Sequence, residues 1–538
     1  MKKFIAGLLL LLFAISFSSC QNDKHHGFYL SHLPDIGKYE DKSSPKYYGD
    51  KLEYEFVPRE DYGEIMPVPL GVKEYSAEDG ADFFGFGPHT EADYSFITED
   101  KKIICAPFFT SFEKCSTYSG DSYVWLVSKK LTSNDMKDGD LPNKYMIISQ
   151  NGDKVIELGE ITGYVTYRNN RSCGYFCYGK DSKTVIMDIS GEIITEIDSL
   201  YVTPTVIKDG DVYYIYYDTS VIENDHTRYD IQIEKVEGGK ISHIGVIYSS
   251  YAVNQIYKHC FSSYCESADG NAIYDFSGNT KSGKFYESVL DIKNSDDILC
   301  ICMDGTIEIC DSFGNFKSKV KMPDGLDTDM ISEYAHIGAF DGPEYLVAVC
   351  HNGEALAVYD VTKNEFVSFD IPKDSHFANG WGWFDGGYGR CIAFDMPDNK
   401  TAYYGLDLEY LYSLGTGVDE INYLSDELVI YRREKELFCQ RPGEESRVIS
   451  NQDDINITYA GDVFGNCVNV TVEADDGVWR SYLMDLDTQK MLGGEMKCFL
   501  EIELPSGEYL LTYADDVCRV TDADGKTVFE YKDYAKFA

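Results

Sequence analysis

The chain has 538 residues, 91 of them acidic and 48 basic, for a formal charge of −43. A field of that sign repels polyanions, so nucleic acid is not an expected partner, whereas cations, basic proteins and neutral ligands are. Hydrophobic residues make up 43% of the chain, ample for a large core, and its 43 tyrosines and 29 phenylalanines favour sheet, whose pleated faces accommodate flat rings.

The N-terminus opens with Lys2 and Lys3, followed by an apolar or small run from Phe4 to Ile15. A membrane span needs roughly 20 apolar residues, so this run is too short and reads as the core of a signal peptide. It ends in Phe17-Ser18-Ser19-Cys20. That tetrapeptide resembles the lipobox of bacterial lipoproteins, with Phe17 in place of the usual leucine. The resemblance implies cleavage of residues 1–19, lipidation of Cys20 and a membrane-anchored position in the cell envelope, outside the cytoplasm. Two or more acyl chains on one cysteine make such an attachment lasting. Cleavage removes two lysines and no acids, leaving 46 basic against 91 acidic residues and a charge of −45. Residues 20–50 are polar, include His25 and His26, and read as a flexible tether carrying the lipid.

From residue 51 onward no long stretch holds apolar residues at helical spacing. Short apolar or alternating runs recur instead, among them Val124 to Val127, Val185 to Ile189, Val212 to Tyr217, Val470 to Val472 and Tyr509 to Tyr513. Turns rich in Gly, Asp, Asn and Ser separate them, so the expected fold class is all-β. One turn format repeats, ending at Gly152, Gly191, Gly278, Gly314, Lys363, Thr488 and Gly525. In most copies an Asp closes the strand, where its carboxylate caps the turn, and Gly takes the positive φ. The spacings are 39, 87, 36, 49, 125 and 37 residues, which fit a unit of about 40 if the long gaps span two and three units.

The Asp-x-x-Gly turns Asp188 to Gly191, Asp275 to Gly278, Asp311 to Gly314 and Asp522 to Gly525 resemble repeats of bacterial β-propeller families such as the TolB-like and quinoprotein-like groups, over roughly residues 100–538. The resemblance implies a β-propeller within residues 51–538. Counting turns gives up to ten units, but one blade can carry two such hairpins, so seven or eight blades are expected. Residues 51–100 would supply a strand closing the ring against Val517 to Tyr531. The tryptophan ladder, WD40, sialidase and kelch signatures are absent, which removes the functions those signatures carry.

The most unusual segment is Asn379 to Arg390, with five glycines and two of the four tryptophans. Glycine lets backbone approach a ligand and rings offer stacking faces, so Trp381, Trp383, Tyr388 and Arg390, with His376 nearby, are the candidate ligand-binding residues. The competing reading is a loop whose aromatics fill space between blades. No G-x-S-x-G occurs, and carboxylate pairs for glycoside hydrolysis are hidden among 91 acids, so catalytic residues are unassigned. Setting Cys20 aside leaves fifteen cysteines, an odd number. The pairs Cys105/Cys115, Cys173/Cys177, Cys260/Cys265 and Cys498/Cys518 are close enough in sequence to bridge in an oxidising compartment. Cys300 and Cys302 would share one face of a strand, as small buried hydrophobes do. There is no CxxC, His259 would point away from Cys260, and Asp522 to Gly525 carries only a fragment of calcium-loop spacing, so neither metal nor cofactor is expected. The expected function is a monomeric, lipid-anchored propeller that binds an unknown protein or glycan ligand. The alternative is a glycan-active hydrolase using carboxylates at a central channel.

Overall fold

The computed structural model describes residues 46–47 and 56–531, apart from 76–88, 130–142, 368–373, 378–390, 450–456 and connecting stretches of one to five residues. Every regular element among the described residues is a β-strand. The strands form seven sheets of 11, 4, 7, 8, 4, 4 and 4 strands in chain order. Apart from the pairing of Lys46–Tyr47 with Lys102–Ile103, neighbouring strands are antiparallel, and almost all are consecutive in sequence. Short hairpins suffice for such a meander, which is why the chain needs no crossover helices.

The wider sheets divide naturally. The 15-residue strand Val155–Asn169 pairs with Asn143–Ser149 through its first half and with Gly174–Lys180 through its second. Single pairings, Asn271 with Tyr286 and Glu354 with His376, hold the halves of two other sheets together. Beyond an N-terminal group of strands at 46–103, the described residues thus fall into ten consecutive units. Nine have four strands, and the unit at 252–280 has three plus the bridge of Tyr274 to Thr280. The succession of small antiparallel sheets is propeller-like.

Packing follows the period-two rule on both faces of each sheet. Trp125 and Val127 enter one cluster, while Leu126 between them enters the next with Phe176 and Val185. Further along, Val429 and Tyr431 pack with Leu411 and Tyr412, whereas Ile430 packs with Val468 and Tyr482. Leu483 then passes contact to Leu510. Each sheet is therefore sandwiched between its neighbours, which requires strands apolar on both sides and explains the continuous apolar runs. The first cluster joins the two ends of the chain: Val68, Phe96 and Trp125 share it with Leu511, Val520 and Phe529. The Trp125 indole donates to the Ile65 carbonyl at 3.3 Å, and Lys114 donates across the same seam to the Glu503 carbonyl. The N-terminal strands thus meet the C-terminal ones by face packing, and no strand pairing joins them among the described residues.

The repeated turns are Asp-capped hairpins. Asp188 Oδ1 accepts from the amides of Ser190 and Glu192, and Asp311 Oδ1 from those of Phe313 and Asn315. Asp522 Oδ1 accepts from the Lys526 amide in the hairpin that joins Val517–Asp522 to Thr527–Tyr531. Gly191, Gly314 and Gly525 carry φ of 91°, 75° and 75°, the left-handed region glycine enters without a Cβ penalty. In the non-glycine copies Asn364 and Gln489 take that conformation, at 58° and 53°.

Candidate functional site

Of the residues singled out by sequence, Cys20, Trp381, Trp383, Tyr388 and Arg390 lie outside the described residues. His376 is exposed on the two-residue strand His376–Phe377, paired with Glu354 on one side and Asp395 on the other. No disulfide joins any two of the fifteen described cysteines. Cys300 and Cys302 are buried in one cluster with Cys260 and Cys310, and Cys300 Sγ lies 3.6 Å from Cys310 Sγ. His259 leaves that cluster, stacking on Phe313 at 4.1 Å between ring centres with Nε2 3.6 Å from Asp209.

A different feature recurs through the fold. In eight of the ten units the first strand shifts register against the second, the exceptions being Thr205–Asp209 and His376–Phe377. Second and third strands shift in one unit of ten, at Val349/Cys350. A bulge frees one residue from the in-out alternation, so a polar side chain stands in an apolar strand without displacing the packed face. The single residues skipped on first strands are Thr110, Asn254, Glu287, Asn422, Thr458, Asp462 and Lys497, and every one is polar. First strands also run beside each other: Phe109–Ser116 contacts Val155–Asn169, and Glu420–Leu424 contacts Ile457–Phe464.

Three consecutive first strands, Glu420–Leu424, Ile457–Phe464 and Met496–Leu504, carry the densest group of such residues. Burial pushes the Glu501 carboxyl up to about 7, and the negative charges of Asp462 and Glu508 push the same way. Tyr423, buried at 7% exposure, is raised by burial and feels the charges of Glu501, Glu427 and Asp426. Tyr459 is raised by burial and by Asp462 and Glu420. Asp462, at φ 49°, receives a 3.1 Å hydrogen bond from Asn469 Nδ2. Asn469 is 5% exposed, and its Oδ1 has no partner. Asn422, 8% exposed, has no partner for either side-chain amide atom. The Tyr459 ring lies across Gly461, where any Cβ would collide with it. Arg432 is occupied nearby, with Nε 3.5 Å from Glu420 and a hydrogen bond to the Thr458 carbonyl. Among the described residues no basic side chain forms an ion pair with Glu501, Asp462 or Glu508.

This group of acceptors, with one carboxyl that holds its proton close to neutral pH, can exchange a proton with a ligand or take hydrogen bonds from one. Sequence reasoning missed it because each acid was one of 91. The available signal was an acid inside an apolar strand, as in Phe499-Leu500-Glu501-Ile502 and Ala460-Gly461-Asp462-Val463. Glu113 and Glu287, also on first strands, are likewise raised by burial.

No family model matches this chain, and neither does any curated protein sequence. Among solved structures, a eukaryotic initiation factor overlaps 72% of this chain and 93% of its own at 12% identity and TM-score 0.31. Hsv2 of Kluyveromyces lactis overlaps 69% and 98% at 12% identity and TM-score 0.25. The dihydro-heme d1 dehydrogenase NirN overlaps 71% and 80% at 10% identity and TM-score 0.25. Superpositions this loose carry no function to the chain, whose architecture rests on its own sheets.

Proposed function

We propose that this chain is a lipid-anchored cell-envelope β-propeller that binds a protein or other extracellular ligand on the surface formed by the first strands of its blades. The observation that carries the reading is that every single residue skipped on those strands is polar, whereas fourth strands skip Ile194, Ile244, Leu411 and Val528 along with Lys317. Bulges are costly to a ladder and concentrate where a side chain must be re-aimed, next to binding sites and barrel rims. Ring closure is supported by the cluster shared between Val68 and Leu511. Allowing two hairpins to a blade leads to seven or eight blades, whereas taking each paired unit as a blade gives ten, and ten is the number we adopt. Hydroxyl-radical footprinting of the full chain, with and without envelope extract, tests the binding face. Protection should fall on first-strand tyrosines such as Tyr164 and Tyr459, which are 77% and 36% exposed. Protection confined to Phe316 and Trp479, on later strands of their units, would contradict it. Anchoring is tested separately by incorporation of labelled palmitate, which Cys20→Ala should abolish.

Glu501 favours a second reading, glycoside hydrolysis. A carboxyl that titrates at about 7 retains a proton to give to a leaving oxygen, and Asp462 is a second carboxylate in electrostatic range. Release of aryl alcohol from aryl glycosides, lost in Glu501→Gln, would establish it; an inactive wild-type chain across a glycoside panel would remove it.

A further inference from the structure

We propose that the Glu501, Asp462 and Asn469 cluster is the recognition site for a primary ammonium group, on a lysine side chain or a free amine, held against the rings of Tyr423 and Tyr459. The inference rests on the binding-module reading and names the chemistry of its ligand. Two independent observations lead to it. The first is an imbalance of hydrogen-bonding groups: Asp462, Glu501 and Glu508 contribute acceptors with no ion pair among the described residues, and Arg432 is turned to Glu420 and Thr458. The second is Asn469, 95% buried, fixed by its bond to Asp462 and left with an unpartnered Oδ1. A buried acceptor without a donor is costly, and a ligand that brings a donor relieves that cost. An ammonium group brings three N–H donors and no acceptor, the inverse of what the cluster offers. Tyrosine faces add attraction for the same charge. A neutral polyol satisfies the acceptors but leaves the negative charge uncompensated, and the body around it, at −45 after cleavage, favours the cation.

Binding would be linked to protons. Glu501 feels the charges of Asp462 on the preceding first strand and of Glu508 on the next strand of its own sheet, and its own charge acts on Tyr423 together with those of Glu427 and Asp426. An arriving ammonium drives the proton off Glu501, so affinity holds above the Glu501 midpoint and falls below it. The limit for one released proton is about tenfold per pH unit.

The test is isothermal titration of the full chain in detergent with cadaverine, with a tetralysine peptide and, as neutral counterparts, pentanediol and a mixed oligosaccharide panel. Each titration is run in two buffers of different ionisation heat, at about pH 6 and about pH 8. The expected result is binding of cadaverine or tetralysine with proton release, up to roughly tenfold weaker at the lower pH, and loss of the pH dependence in Glu501→Gln. Asp462→Asn should weaken binding at both pH values. Preference for tetralysine identifies a protein lysine as the source, and preference for cadaverine a free amine. Oligosaccharide binding abolished by Asp462→Asn, with no amine binding, overturns the ammonium assignment and leaves the binding surface standing. Failure of every ligand, together with no first-strand protection in footprinting, overturns both.

Discussion

Leu511 is fully buried in the cluster that the C-terminal sheet shares with Val68, Phe96 and Trp125. Truncating a buried leucine to alanine removes its transfer free energy and leaves a cavity, at a cost of about 2–5 kcal/mol. At 1.4 kcal/mol per factor of ten, openings of that seam become about thirtyfold to several thousandfold more frequent. Because the packing is sequential, the effect belongs to the two sheets that meet there. Amide hydrogen exchange should therefore accelerate in 496–531 and also in 65–75 and 89–98, more than 400 residues away in sequence. The control, Ile301→Ala, empties a comparable site in the cluster of Leu299, Ile309 and Val347 and should act on those neighbours, leaving 65–75 unchanged. Exchange that accelerates in 496–531 while 65–75 and 89–98 keep wild-type protection would refute the seam.

Three further outcomes follow from local chemistry. Asp311→Ala deprives the Phe313 and Asn315 amides of their acceptor and should cost about 1 kcal/mol in urea denaturation, with Asp311→Asn recovering part of it. Glu501→Gln should raise the urea midpoint at pH 8 and change it little at pH 4.5. The raised folded-state pKa means that the protonated form is the one the fold favours, and this contribution is complete below the ordinary glutamate range and lost as pH rises through about 7. Mild oxidation followed by peptide mass mapping should find Cys300 joined to Cys310 before any of the sequence-adjacent pairs, because their sulfurs already touch at 3.6 Å. Cys105–Cys115 or Cys173–Cys177 appearing first would contradict that geometry.

How much of this was legible in the sequence depended on how local the cause was. The hairpins at Asp188, Asp311 and Asp522 were readable because turn chemistry is a matter of four residues, and one carboxylate beside one glycine fixes it. The burial of Cys300 and Cys302 on one face followed from strand periodicity alone. The candidate site did not. Asp462 and Glu501 are 39 positions apart in sequence, and what brings Asp462 out of its strand is a register shift between Gly461 and Val463, which depends on the partner strand. A period-two reading assumes an unbroken ladder and assigns such a residue to the wrong face. The division at Val155–Asn169 was equally hidden, since a strand shared between two units looks in sequence like one strand.

The most direct test is the titration of Glu501 itself, followed by carbon-13 NMR of the full chain with labelled glutamate carboxyls and assigned by comparison with Glu501→Gln. The account predicts one carboxyl with a midpoint of about 7 that shifts to lower pH when the ammonium ligand is added. A Glu501 midpoint at the ordinary glutamate value of about 4.3, unmoved by any amine, would contradict it.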